Sequence, residues 1–301
     1  METFNDFYQN LFSKQQQLGT GLCVVATPIG NLADITFRAL YVLQNCHTIV
    51  CEDTSATLKL LNFFGIKNKK TITYNDHSTE KTRQNIAELL QNQQIVALVC
   101  DAGTPLISDP GYKLIRFLQN FNYPIYTVPG CCSAISAISI AGISCSQFIF
   151  AGFLPEKTQA KITFLQEMPS NFSVIFFETA NRLLDSLQII LQTLGDRTVA
   201  VAKELTKIHE QIITAKVSEV LEYFLQNQSK IKGEMVLLLE KATQHQYQEA
   251  DILQDIAKYL PLAKSSKDLA IQLASKFNTN KKTIYQLILQ HQASYVNQQK
   301  N

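Results

Sequence analysis

The chain reads as an α/β protein: two consecutive α/β domains with a cleft between them, followed by a small helical module. Three observations predict this. Between residues 22 and 130, short apolar runs rich in β-branched residues alternate with amphipathic helical patterns, as in a largely parallel, helix-covered sheet. The alternation returns from about 145 to 241. In the last fifty residues the apolar residues recur at helical spacing only.

Taken in order, residues 1–20 are an N-terminal extension, polar and aromatic, without the charged-then-apolar order of a signal peptide. The first domain, 21–135, has strands at 22–26, 47–51, 95–100 and 125–128 and helices at 33–45, 54–64, 79–92 and 111–121. Residues 134–143, small and apolar, predict a buried helix leading into the second domain, 136–242. There, strands at 147–151, 173–177, 198–202 and 234–239 enclose helices at 157–168 and 180–194. The Gln-rich stretch 242–249 is a linker. In the module, 250–298, Leu269, Leu273 and Phe277 and then Ile284, Leu287 and Ile288 fall at helical spacing around Asn278-Thr279-Asn280. That is a helix-turn-helix-like pattern.

Composition bounds the function. With 301 residues, 46% hydrophobic and 17% charged, the chain buries a sizeable core. No apolar run approaches the roughly 20 residues of a membrane span, so a cytoplasmic protein without membrane contact is expected. Seven cysteines without a Cys-x-x-Cys pair, most of them in apolar runs, favour reduced thiols over disulfides or zinc, and no metal is expected. Residues 251–301 hold seven Lys against three Asp, a local +4 within a net +2, which leaves −2 for residues 1–250. A basic tail suits contact with a polyanion; a solvated Lys-rich helix face accounts for it equally well.

The chemistry concentrates where strands empty into loops. The stretch 98–111, LVCDAGTPLISDPG, leads an apolar run into an acidic loop punctuated by Gly and Pro. Strands 22–26 and 125–128 break in the same way, into Thr27-Pro28-Ile29-Gly30 and Pro129-Gly130-Cys131-Cys132-Ser133. Loops at the carboxyl edge of an α/β sheet are where such folds bind ligands. Asp101 is able to accept hydrogen bonds there, Gly103 permits close backbone approach, and Thr104 with Pro105 fixes the turn. The plainer account is a strand-to-helix turn with a capping Asp, just as Glu52-Asp53-Thr54 reads as a helix cap. No Gly-x-Gly-x-x-Gly follows a strand, which disfavours a nucleotide-binding oxidoreductase.

These motifs, with CEDTSATLKLL (51–61), GFLP (152–155), FFETANRLLDSL (176–187), AKELTK (202–207) and GEMVLLLE (233–240), resemble the tetrapyrrole methylase superfamily. Within it they resemble the ribosomal small-subunit RNA methyltransferase I family, in order and over nearly the whole chain. The resemblance implies S-adenosylmethionine as cofactor, converted to S-adenosylhomocysteine. It implies 2′-O-ribose methylation of a cytidine in the decoding region of 16S ribosomal RNA, on the RNA or the small subunit, by a homodimer. It places the cofactor against Pro28, Asp101, Gly103, Thr104, Pro105, Ser133, Ala134, Ala202 and Glu234, with Ser133 doubling as a helix cap. The chain departs from the family at Cys131, Ser55 and Asn181, where proline, arginine and histidine are usual. Glu178 and Lys203, ending strands of the second domain, are the expected proton acceptors, and Arg182 the phosphate ligand. A small-tetrapyrrole methylase and a non-catalytic RNA-binding homologue are the alternatives.

Overall fold

The computed structural model describes residues 19–242, 249–263, 265–277 and 279–298. Residues 1–18 of the expected extension, 243–248 of the expected linker and Asn278 of the expected turn lie outside the described residues. The chain divides into two compact units, Met1–Lys241 and Ala242–Asn301. Both α/β halves belong to the first.

The first half contains β1 (Gly21–Val25), β2 (Thr48–Cys51), β3 (Lys70–Thr73), β4 (Ile95–Leu98) and β5 (Ile125–Val128), ordered β3-β2-β4-β1-β5. All pairings are parallel, so each connection is a crossover. Helices α1 (Phe37–Asn45), α2 (Thr54–Phe63), α3 (Glu80–Gln91) and α4 (Tyr112–Asn120) supply them. Strand alternation divides the core between two faces. Cys23, Val25, Ile49 and Ala97 pack with Val42, Leu43 and Leu61 of α1 and α2. Leu22, Val50, Val96 and Leu98 pack with Ile86, Leu90, Leu114 and Leu118 of α3 and α4. Asp53 caps α2, its carboxylate accepting from the amides of Ser55 at 2.6 Å and Ala56 at 3.4 Å. Every strand's carboxyl end lies at the same edge of this sheet.

Helix α5 (Ser133–Ile140) leads to the second sheet, β6 (Phe148–Phe153), β7 (Ser173–Thr179), β8 (Thr198–Lys203), β9 (Gln211–Lys216) and β10 (Glu234–Leu239), ordered β6-β7-β10-β8-β9. Only β6 and β7 pair in parallel; the rest of this sheet is antiparallel. One face, with Ile175, Ala200, Ala202, Val236 and Leu238, packs against Ala134 and Ala137 of α5. The other, with Val174, Phe176, Val201 and Leu237, is covered by α6 (Thr158–Glu167), α7 (Leu183–Leu194) and α8 (Val217–Gln226).

Two expectations need correction. Helix α5 is not buried throughout: Ala134 and Ala137 face the sheet while Ile135, Ser139 and Ile140 are exposed. Its N-cap is Cys132, without a side-chain cap bond, so Ser133 is the first helical residue and leaves its hydroxyl free of capping. The edge strands β3 and β9, and α8, are additional to the elements expected from sequence. So is the first helix of the second unit, which comprises α9 (Glu249–Tyr259), α10 (Ser266–Lys276) and α11 (Lys281–Gln298) around Ile256, Leu269, Leu273, Phe277, Ile284 and Ile288.

Candidate active site

Three loops from the carboxyl edge of the first sheet are stitched together by hydrogen bonds. Thr27 and Gly103 exchange backbone bonds, the Thr27 amide donating to Gly103 at 2.8 Å and the Gly103 amide to Thr27 at 3.1 Å. The Thr104 hydroxyl donates to the Cys131 carbonyl at 2.8 Å, tying the second loop to the third. Gly103 sits at φ +84, a conformation glycine adopts without a Cβ penalty.

The first loop also touches the second half. The Asn31 amide donates to the Thr206 hydroxyl at 3.0 Å. Gly30 passes so close that an added Cβ would lie 2.7 Å from Lys207 Cγ, 2.8 Å from the Leu205 carbonyl oxygen and 2.9 Å from Thr206 Oγ1. Gly30→Ala must therefore push the halves apart. We expect it to cost about 1–3 kcal/mol, the usual range for overpacking, read as a lowered denaturant midpoint; an unchanged midpoint would show that the approach is not needed.

Between the halves lies a cavity of about 500 Å³. Gly103, Thr104 and Ser133 line it from one side, Ala202 and Glu234 from the other, so five of the nine residues expected to hold a cofactor meet there. Pro28 and Asp101 line a second cavity instead. Pro105 and Ala134 line neither: both are buried, and Ala134 is packed against the second sheet. Asp109 also lines the first cavity and was not singled out from sequence. Burial pushes its carboxyl above the ordinary range, against a hydrogen bond with the Cys100 thiol that lowers it; the charges of Glu234 and Asp101 raise it further.

Glu178, Lys203 and Arg182 are not brought to this cavity. The register pairs Phe177 with Val236 and Ala202, all three lining the cavity, and pairs Glu178 with Met235 and Lys203 one residue on. Successive residues of a strand point to opposite faces, so Glu178 and Lys203 belong to the helix-covered face, where Glu178 meets Ser186 of α7; Met235 packs there with Phe176 and Leu237 although it also borders the cavity. Glu178 is fully buried. Its carboxylate accepts from the Thr179 amide at 2.8 Å and the Ser186 hydroxyl at 2.5 Å, and lies 3.1 Å from Arg182 Nε. Lys161, also fully buried, donates to Ser186 at 2.9 Å and Asp185 at 2.7 Å. These are partners that orient one another inside the core. Among the described residues, no three His, Cys, Asp or Glu side chains are grouped to hold a metal ion.

Residues 21–221 match the sequence model of the family described as Tetrapyrrole (Corrin/Porphyrin) Methylases, spanning both sheets. The chain belongs to that family. As a family member it has full-length relatives: it is 41% identical to the Ribosomal RNA small subunit methyltransferase I of Rickettsia prowazekii (strain Madrid E) over 90% of this chain and 97% of that protein. It is likewise 41% identical to the protein of that name from Escherichia coli O157:H7, over 90% and 95%. Among solved structures, it is similar to uroporphyrin-III C-methyl transferase from Thermus thermophilus, complexed with S-adenyl homocysteine. There the TM-score is 0.51 at 13% identity, over 73% of this chain and 97% of that one. This last likeness establishes the shared fold. No helix among the described residues is long and apolar enough to cross a membrane.

Proposed function

We propose that the protein is an S-adenosylmethionine-dependent methyltransferase that methylates the 2′ oxygen of a cytidine ribose in small-subunit ribosomal RNA, in the cytoplasm. The observation that carries this is the cavity between the halves, built from the loops of the first sheet in a chain so similar to named ribosomal RNA methyltransferases. Its lining suits the cofactor: Ser133 opens a helix whose first amides have no intrahelical partner and no side-chain cap, Gly103 admits close approach, and Asp109 and Glu234 supply negative charge to a cavity that must hold a cationic sulfonium and ammonium.

The bound cofactor supplies a methyl group on a sulfonium, a good leaving group. On transfer, the C–S electron pair would remain on sulfur as the bond to the 2′ oxygen formed, and the hydroxyl proton would have to leave. The chain therefore has to align the hydroxyl and accept that proton. Asp109 takes the second role in preference to Glu178 and Lys203, because it faces the cavity and they face the core. Arg182 is correspondingly a positioning partner of Glu178.

Two features support the partners. Tyr126, Ile135, Ile140 and Phe148, on the consecutive elements β5, α5 and β6, are exposed apolar residues that a second copy of the chain would cover in a homodimer. Lys281 and Lys282 are exposed at the start of α11, with Tyr285 four residues after the first, a combination suited to RNA.

The test is transfer of a labelled methyl group to purified unmethylated small subunits, naked 16S RNA and tetrapyrrole precursors, with the product mapped to its nucleotide and atom. We expect label at a ribose 2′ oxygen. Ser133→Tyr, which fills the cavity, is expected to weaken cofactor binding at least tenfold by calorimetry with little change in melting temperature. Label on a tetrapyrrole alone, or wild-type affinity in Ser133→Tyr, would overturn the reading.

A further inference from the structure

A second cavity, of about 470 Å³, lies beside the first and shares Ile29 and Ala102 with it. Its walls are the Thr27–Gly30 segment, the Cys100–Ala102 segment and one side of α2, presenting Thr57, Lys59 and Phe63. Its size is within the range of pockets that hold small organic ligands.

Its polar groups are unusually specific. Thr57 is 4% exposed, and its hydroxyl has no hydrogen-bond partner among the described residues, which is costly for a buried polar group unless a ligand completes it. Asp101 is exposed at the cavity wall, one carboxylate oxygen accepting from the Asp53 amide at 3.2 Å. Phe63, 66% exposed and in edge contact with Phe64 at 5.0 Å between ring centroids, offers aromatic surface, and Lys59 an exposed cation.

We infer that this second cavity receives the base of the nucleotide to be methylated and selects cytosine. The inference rests on the first cavity holding the cofactor and on RNA as substrate. Sequence-specific recognition of RNA reads bases that are splayed out of the stack, by stacking on aromatic side chains and hydrogen bonds to their edges. Cytosine differs from uracil by an exocyclic amine, a donor, where uracil has a carbonyl, an acceptor. A carboxylate accepts from the amine and repels the carbonyl. Asp101 makes that distinction, the Thr57 hydroxyl donates to the acceptor edge of the base, Phe63 stacks on a neighbouring base and Lys59 meets a phosphate. The adjoining walls at Ile29 and Ala102 put the ribose of a base held here next to the cofactor.

Single-turnover methylation is compared on small subunits carrying cytidine at the mapped position and on subunits carrying uridine there. The wild-type protein should favour cytidine by tenfold or more. Asp101→Asn, whose amide presents either a donor or an acceptor, should narrow that preference about tenfold. Thr57→Val, similar in shape but without the hydroxyl, should raise KM for cytidine subunits several-fold while its cofactor affinity, read by calorimetry, stays at the wild-type value. Asp101 is exposed, so its variant keeps the question open to test even if Thr57→Val melts early. Failure of wild-type protein to bind cofactor or to methylate subunits would overturn the underlying reading. Wild-type methylation with an unaltered cytidine-to-uridine ratio in Asp101→Asn would overturn the base pocket alone.

Discussion

Asp109→Asn is expected to slow methyl transfer in the fully bound complex by about 10² or more, the usual loss when acid-base help is removed, while cofactor affinity, to which Glu234 still contributes its charge, falls by much less. The side chain lines the cavity proposed for the cofactor, and its carboxyl is held above the ordinary range by burial and by Glu234 and Asp101. The direction matters for pH. A base works only when ionised, so activity should fall as pH drops through the raised pKa of Asp109, at higher pH than an ordinary carboxylate would give. In Asp109→Asn that acid limb should disappear, leaving a slow, flatter profile. Single-turnover rates at saturating cofactor and subunit across pH measure both features. A wild-type rate with an unchanged limb would remove Asp109 from the mechanism and leave alignment as the source of catalysis.

Glu178→Ala is expected to act on stability instead. Removing the carboxylate leaves Arg182 and the Ser186 hydroxyl facing a vacancy in the core beside the buried Lys161, and breaking a buried ion pair costs about 3–5 kcal/mol. For a unit of this size that corresponds to a melting temperature lower by about 10 °C. Glu178→Gln, which retains an acceptor and the side-chain shape, should lose less. Methylation by whatever protein remains folded should proceed close to the wild-type rate. A normal melting temperature with a greatly reduced rate would reverse the assignment and return Glu178 to the chemistry.

The contrast between these two carboxylates explains what the sequence makes legible. Loops such as TPIG, DAGTP and PGCCS announce themselves by local turn chemistry, and five of the expected cofactor residues do converge on one cavity. That Glu178 and Lys203 end strands is also legible. Which face they occupy depends on register, where a step of one residue reverses the answer, and register is settled by pairing with β10, over thirty residues further along the chain from Lys203. Asp109 was hidden for another reason. Leu106 at φ +74 and Ser108 at φ +67 adopt left-handed backbone conformations in the loop before it, so its position follows no helix or strand periodicity. The edge strands β3 and β9, KTIT and QIITAK, carry too few buried residues to stand out as apolar runs. In β7, by contrast, the SVIFFET run is buried over its first four residues and is evident at once.

The position of β10 has a consequence for how the chain is made. It lies between β7 and β8, although it is the last strand synthesised. While the chain emerges N-terminus first, the parallel sheet can assemble once β5 is available, but β8 and β9 form a hairpin with no partner strand linking them to β7. Residues 234–239 then close that gap and complete the wall carrying Ala202 and Glu234. A nascent chain therefore gains its first sheet well before its second, and the cavity proposed for the cofactor is complete only with the last strand.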